Sequence, residues 1–344
     1  MIPKKELDEI RNELIECQNP FFFFHDDCDG LCSFLLLQRF KGEGRGHVVK
    51  QRPYIEEDFT RFVPDECDKI FILDIAVVKQ EFVDSIKKPV VWIDHHTPIK
   101  ISKCKYFNPR ISHPDEYVPA SAVCYEAVKQ DLLIAALGTI GDLGQMPFLK
   151  DFFKEYKHLL GKKKFKIVLK DLFDITFRTK FGKLVHILEF NLKGKTKDIR
   201  KSIGILMKTK NFANFLNPKT KEEIYIHERY EDVNKEYEEK LKEALKLKKQ
   251  DPFVFIYQEG NYVLGGILAT ELPYRIPNKK MYIIAREKGG RMLCSLRSNK
   301  INLVEFLEKA FKKVDGFGGG HPVAAGCNVR KEDFEKFVEL ASKA

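Results

Sequence analysis

Four stretches in the first half of the chain place carboxylates and imidazoles beside apolar runs. His25, Asp27 and Asp29 follow Phe21–Phe24, and Asp74 closes the run that begins at Phe71. Asp94, His95 and His96 follow Val90–Ile93, and Asp142 follows the apolar Leu132–Gly138. A single aspartate after a strand is ordinarily a turn former or a helix cap. Recurrence at successive segments points instead to one site. Carboxylates brought that close repel, and burying them uncompensated costs several kcal/mol or raises their pKa values. Divalent cations remove that cost. A mixed carboxylate and imidazole set suits manganese, with magnesium, cobalt or zinc as poorer fits. The ligands outnumber what one cation uses, so two are expected, about 3.5–4 Å apart. Such a pair activates a water and clamps a phosphoryl group for in-line displacement.

These side chains meet only if the apolar runs are neighbouring strands. Phe21–Phe24, Lys69–Ala76 and Pro89–Ile93 read as strands buried on both faces, and Leu132–Gly138 as a fourth strand-like segment. Leu31–Phe40 reads as a helix ended by Lys41-Gly-Glu-Gly. Strands alternating with helices predict an α/β fold with a doubly wound, mostly parallel sheet, whose C-terminal strand ends line the ligand crevice. Further along, Ile226, Tyr230, Val233, Tyr237, Leu241 and Ala244 recur at steps of three and four. They predict one long amphipathic helix over Lys221–Gln250, stopped by Asp251-Pro252. Strand-like Phe253–Tyr257, Met281–Arg286 and Arg291–Arg297 come next, the last two joined at Gly289-Gly290. Helical patterns near Leu303–Lys312 and Lys331–Ala341 complete a smaller α/β domain. The expected organisation is a metal-bearing domain over 1–147, a basic helical region with the long helix over 148–250, and the smaller domain over 251–344.

Composition supports a folded protein with a polyanionic partner. The 344 residues are 44% hydrophobic and 32% charged, which excludes disorder along the whole chain. No apolar run reaches the roughly 18 residues a membrane span needs. Met1-Ile-Pro-Lys-Lys-Glu lacks the apolar core of a secretory signal, so the expected location is cytoplasmic. The net charge of +10 is uneven, with 18 Lys and Arg against 5 acids between Phe153 and Lys219. Lys162, Lys163 and Lys164, and Lys193, Lys195, Lys197, Arg200 and Lys201, are candidates for tracking a phosphate backbone. Phe165, Phe173, Phe177, Phe181, Phe190, Phe212 and Phe215 are interleaved with them, and most read as helix core. The eight cysteines include no CxxC pair, so reduced and mostly buried thiols are expected.

The motifs resemble those of a known superfamily. His25-Asp-Asp-Cys-Asp-Gly30 resembles the HxDxDG motif of the DHH phosphoesterases, and Asp94-His95-His96 the triplet that names them. Asp74, Asp142 within Gly138–Gly144, and Asn108-Pro109 fall where that pattern places them. Gly316-Phe-Gly-Gly-Gly-His321 with Ala324-Ala325-Gly326 is similar to the glycine-rich signature of the DHH-associated domain. The resemblance implies that His25, Asp27 and Asp74 hold one manganese, and Asp29, Asp74, His95 and Asp142 the other, with Asp74 bridging. His96 would face the substrate phosphate, with Asp94 orienting the histidines beside it. Asp26 adds an acid at a variable position and is expected to point away from the metals. Gly318, Gly319 and Gly320 are read as a loop whose backbone N–H groups approach a phosphate, with His321 donating to it. Arg297 is a candidate phosphate clamp.

Among such proteins the best match is to the RecJ-like exonucleases of archaea. It implies a manganese-dependent exonuclease on single-stranded DNA or RNA that releases nucleoside monophosphates. Two alternatives are kept: a nanoRNase or cyclic-dinucleotide phosphodiesterase, and a replication or repair scaffold with little activity. Replication or repair proteins are expected partners, and the long helix could pair with a second copy.

Overall fold

The computed structural model describes residues 2–50, 54–161, 169–258 and 260–344. It divides into two compact units: 1–192 with 196–230, and 193–195 with 231–344.

The first unit is built on five strands: β1 (Pro20–His25), β2 (Arg45–Val49), β3 (Lys69–Leu73), β4 (Val90–Ile93) and β5 (Lys105–Phe107). All pair in parallel, in the order β2-β1-β3-β4-β5. Alternation sends Phe21, Phe23, Ile70, Ile72 and Trp92 into one core. On the other face Phe24 stacks on Phe34 at 4.5 Å and Phe22 on Phe71 at 5.3 Å. Phe34 belongs to α2 (Cys28–Lys41), which buries every residue from Cys28 to Gln38. A helix apolar all round has no solvent face. It lies instead against the sheet, α4 (Ala120–Val128) and α5 (Leu132–Gly141). The remaining early helices are α1 (Lys4–Glu16) and α3 (Gln80–Ile86).

The structure corrects one predicted strand of the first unit. Leu132–Gly138, read as strand-like, is the body of helix α5. Its unbroken apolar run carries no period to tell helix from strand, because almost every residue is buried. Small residues give it close approach: a Cβ on Gly138 would lie 2.5 Å from Ser121 Oγ and 2.7 Å from Cys32 Cβ.

The basic region folds as α6 (Leu149–Tyr156), α7 (Leu169–Arg178), α8 (Lys180–Asn191) and α9 (Thr196–Lys208). Phe181, Phe190, Phe212 and Phe215 are buried there, as helix core. The long helix α10 spans Lys221–Leu245, about one turn shorter than expected, and the two units divide within it. All six of its periodic residues are buried.

The second unit carries β6 (Phe253–Ile256), α11 (Gly265–Arg275), β7 (Tyr282–Lys288), β8 (Arg291–Arg297), α12 (Leu303–Ala310), β9 (Gly316–Gly320), β10 (Ala324–Arg330) and α13 (Phe334–Lys343). The sheet order is β9-β10-β8-β7-β6, with only β6 and β7 parallel. Gly289 and Gly290, at φ +59° and +73°, form the two-residue turn between β7 and β8. Met292, Cys294, Leu296, Cys327 and Val329 face a core shared with Phe306, Phe334 and Phe337. The glycine run Gly318–Gly320, read as a loop, is part of edge strand β9. Glycines leave no side chain to signal a strand, so the pattern shows only its permissiveness. All eight cysteines are free and seven are buried.

Phe34→Ala removes the ring that locks α2 to β1, and the expected loss is about 3–5 kcal/mol, read by chemical denaturation.

Candidate metal centre

In a parallel sheet ordered β2-β1-β3-β4-β5, the winding direction reverses between β1 and β3. A crevice therefore opens beyond their C-terminal ends. His25 is the last residue of β1, and Asp74 comes directly after β3. Asp94, His95 and His96 follow β4 on the neighbouring strand. Asp142 arrives differently, as the C-cap of helix α5.

Local geometry fixes each acid. Asp27 is the N-cap of α2 and its Oδ1 accepts from Gly30 N–H at 2.9 Å. The chain doubles back so tightly that a Cβ on Gly30 would lie 2.6 Å from His25 O, so only glycine fits. Asp29, 1% exposed, accepts backbone N–H bonds from Ala120 at 2.8 Å and Ser121 at 2.9 Å, and a bond from the Ser121 hydroxyl. Those donors form the N-terminus of α4, where the helix dipole favours negative charge. Asp74 has φ 56°, in the left-handed region that non-glycine residues rarely occupy, and such strain concentrates at functional sites.

The side chains converge. His25 Nδ1 lies 2.6 Å from Asp27 Oδ2 and 3.5 Å from Asp74 Oδ2. His95 Nε2 lies 3.2 Å from Asp74 Oδ1 and 3.5 Å from Asp142 Oδ2. Three overlapping groups each have ligand atoms within 4.8 Å of one another: His25, Asp27 and Asp74; Asp29, His95 and Asp142; Asp74, His95 and His96. Asp94 does not join them. Fully buried, it accepts from His96 Nδ1 at 2.7 Å, His96 N at 2.9 Å and Asn108 Nδ2 at 3.4 Å. Asn108 Nδ2 also donates to the His96 carbonyl at 2.9 Å. Asp26 enters none of the groups; its Oδ1 comes within 3.6 Å of His25 Nε2, the ring nitrogen other than the one beside Asp27 and Asp74.

Two residues had no signature in the sequence. Tyr117 donates its hydroxyl to Asp142 Oδ2 at 2.8 Å and sets its ring 5.1 Å from His95. Ser121 holds Asp29. Ser121 lies in the first turn of α4 and Tyr117 in the segment just before it, both remote in sequence from the acids they serve.

The electrostatics match an acid cluster that lacks its counter-charge. Burial, reinforced by Asp74 and Asp27, pushes Asp29 up to about 7. Burial and the charges of Asp29 and Asp27 push Asp142 up to about 6. Asp74 is raised by burial and by Asp27. Burial opposes charge on His25 and His95, yet Asp27 beside one and Asp142 and Asp74 beside the other raise both well above the usual imidazole range. Burial likewise opposes charge on Asp94, but His96 outweighs it and holds the carboxyl low. Asp74 Oδ2 and His95 Nδ1 are buried without a hydrogen-bond partner among the described residues. Hard carboxylate oxygens mixed with imidazoles, crowded and under-bonded, fit divalent cations.

Apart from His96, the residues read as substrate contacts lie in the second unit. Arg297 Nη2 donates to Thr270 Oγ1 at 3.1 Å and Nη1 to Leu296 O at 2.9 Å. His321 N donates to Ala324 O at 2.7 Å, closing the turn between β9 and β10. Of the basic candidates, Lys195, Lys197, Arg200 and Lys201 are exposed and Lys193 is partly buried. Lys201 Nζ stands 3.7 Å over the Tyr225 ring. Lys162, Lys163 and Lys164 lie outside the described residues.

Two family profiles match the chain: the DHH family N-terminal domain over residues 21–142 and the DHHA1 domain over residues 261–344. The chain belongs to the DHH family. Every residue of its three metal-ligand groups falls within the DHH match. Among solved structures the fold is similar to RecJ of Thermus thermophilus in complex with Mn2+ (19% identity, 98% of this chain, 54% of that one, TM-score 0.67). It is also similar to an exonuclease RecJ bound to manganese (16% identity, 100% and 94% covered, TM-score 0.63). CDC45 of Entamoeba histolytica shares the fold at 10% identity, with 98% of each chain covered and a TM-score of 0.54. The chain thus spans about half the length of the Thermus RecJ that it matches. No curated protein matches it.

Two outcomes follow from this geometry. Tyr117→Phe leaves Asp142 without its hydrogen bond, and metal affinity, read by calorimetric titration, falls about 10–100-fold. The raised carboxyls and imidazoles mean that the metal-free folded protein binds more protons than the unfolded chain above about pH 4. Its stability therefore falls as pH rises, for Asp29 across the interval from the ordinary carboxylate range to about 7. Cations replace those protons, so the gap in Tm between protein with Mn2+ and protein with chelator widens from acidic to neutral pH.

Proposed function

We propose that the protein is a metal-dependent phosphodiesterase that removes nucleoside monophosphates from one end of single-stranded DNA or RNA. The observation that carries this reading is the set of three overlapping ligand groups at the switch point of a DHH-family sheet. In this reading His25, Asp27 and Asp74 hold one divalent cation, and Asp29, Asp74, His95 and Asp142 hold a second. Two imidazoles among the acids favour manganese over magnesium. Bound there, such cations polarise a phosphoryl oxygen and supply a nucleophile at neutral pH.

The chain's own residues do the rest. His96 Nδ1 is tied to Asp94 at 2.7 Å, which leaves Nε2 as the ring atom to present to substrate. Asp94 raises the His96 pKa against the effect of burial, which favours a ring that donates toward a phosphate oxygen. Asn108 fixes the peptide of His96 and so the direction of that donor. Arg297, Gly318, Gly319, Gly320 and His321 are assigned to substrate binding in the 251–344 domain. Lys197, Arg200 and Lys201 at the start of α9, with Lys193 and Lys195 before it, supply positive charge that suits a phosphate backbone. This reading puts the protein's action in the cytoplasm, in replication or repair.

End-labelled single-stranded DNA and RNA incubated with Mn2+ test this reading. A ladder that shortens from one end, absent in Asp74→Asn, is the expected result, and the labelled end gives the polarity. Cleavage restricted to a dinucleotide marks an oligonucleotide-clearing enzyme instead. Binding without any cleavage marks a scaffold.

A further inference from the structure

The β9–β10 side of the second sheet presents an aromatic ring to solvent. Phe317 is 63% exposed, the highest of the large hydrophobic side chains described. A lone exposed phenylalanine is ordinary on a protein surface. This one is held in place. The Arg291 guanidinium lies 5.5 Å from the ring centroid, and is itself fixed by Asp315 at 3.1 Å and by Asn328. A cation thus engages one face of the ring, while most of the side chain's surface remains in solvent.

Pairing register shows what surrounds it. Phe317 pairs with Asn328, and Gly319 with Gly326, which in turn pairs with Ser295 on β8. Helix α11 packs on β7 and β8 and reaches Ser295, whose Oγ is 3.4 Å from where a Gly265 Cβ would be. Beyond Ser295, Gly326 and Gly319 are exposed. A Cβ on Gly319 would meet nothing within 4 Å, and one on Gly326 only Cys294 O at 3.9 Å. Neither glycine has a positive φ. Gly318 differs, since its Cβ would lie 2.6 Å from Cys327 Cα. Packing therefore demands glycine at 318 but not at 319 or 326, where the absence of side chains leaves a flat floor beside the ring. Charge around that floor is positive: Arg291 and Arg330 share the single carboxylate of Asp315, and Arg297 ends β8, paired with Ala324 on the same face as Gly326.

We propose that Phe317 stacks on a nucleobase of the single-stranded substrate, laid over the floor of Gly319 and Gly326. The inference rests on the nucleic-acid reading above and adds to it a base-stacking residue. An open aromatic face accepts any base, because every base has a π-face, and the arginines suit the phosphates that flank it. Holding the ring through Arg291 removes the ordering cost before the substrate arrives.

The test uses the full-length protein and single-stranded oligonucleotides carrying 2-aminopurine at successive positions, in chelator so that the strand stays intact. In the wild type, fluorescence is quenched at one position on binding. Phe317→Ala abolishes that quench and weakens binding about 5- to 100-fold, while Phe317→Trp restores it. Gly319→Val, whose side chain enters open space, weakens binding with Tm unchanged. With Mn2+, Phe317→Ala raises KM for the oligonucleotide and leaves kcat within about twofold, as loss of uniform binding requires. If wild type cuts the strand but Phe317→Ala keeps both the quench and KM, the stacking role is overturned and the exonuclease reading stands. If wild type neither binds nor cuts it, the nucleic-acid reading falls and this inference with it.

Discussion

Carboxylates crowded at the mouth of one crevice repel one another, and the first unit is arranged around tolerating that repulsion. Each acid is anchored by a separate part of the fold. Asp27 caps α2, Asp29 sits on the N-terminus of α4, and Tyr117 holds Asp142. Asp74 is pinned through its backbone, with its N–H donating to the Ile93 carbonyl at 3.0 Å. None of these anchors supplies a full positive charge. They hold the acids still without neutralising them, and the carboxyls at 29 and 142 respond by holding protons more tightly. A site built this way is rigid yet electrostatically unfinished, which is the condition in which cations bind strongly.

Rigidity of that kind needs close packing behind it. Helix α2 is enclosed on all sides, and the phenylalanines of β1 interlock with it through the Phe24–Phe34 stack. Gly138 lets α5 settle onto α2 and α4, and that contact brings Asp142 to the crevice from a helix end. A larger residue at 138 would push α5 outward and draw Asp142 away from His95. The packing behind the site and the distances within it are thus parts of one arrangement.

Three of the first sheet's five strands were legible because Phe21–Phe24, Ile70–Leu73 and Val90–Ile93 are short apolar runs ending at acids or histidines, whereas the edge strands Arg45–Val49 and Lys105–Phe107 carry no such run. The long helix was legible because six residues keep its period over five turns. Helix α5 was not, since burial on nearly every side erased the alternation that would mark it. The glycines of β9 invited a loop reading, because a sequence shows where a backbone is free but not that an opposing strand has paired with it. Tyr117 and Ser121 were invisible for another reason: their roles depend on the α4 start and the segment before it meeting Asp29 and Asp142 in space. Periodicity carries local structure well. It says little about the partners that tertiary contact supplies.

The left-handed backbone of Asp74 also limits how this position can change. Alanine or a β-branched residue there would add a backbone penalty of about 1–2 kcal/mol to the loss of the carboxylate. Asparagine tolerates the same φ and keeps nearly the same shape. A silenced form meant to grip a ligand without turning it over is therefore best made with asparagine. Glycine would keep the turn but discard the side chain that fills it. The backbone at this one residue thus separates losing the chemistry from losing the architecture.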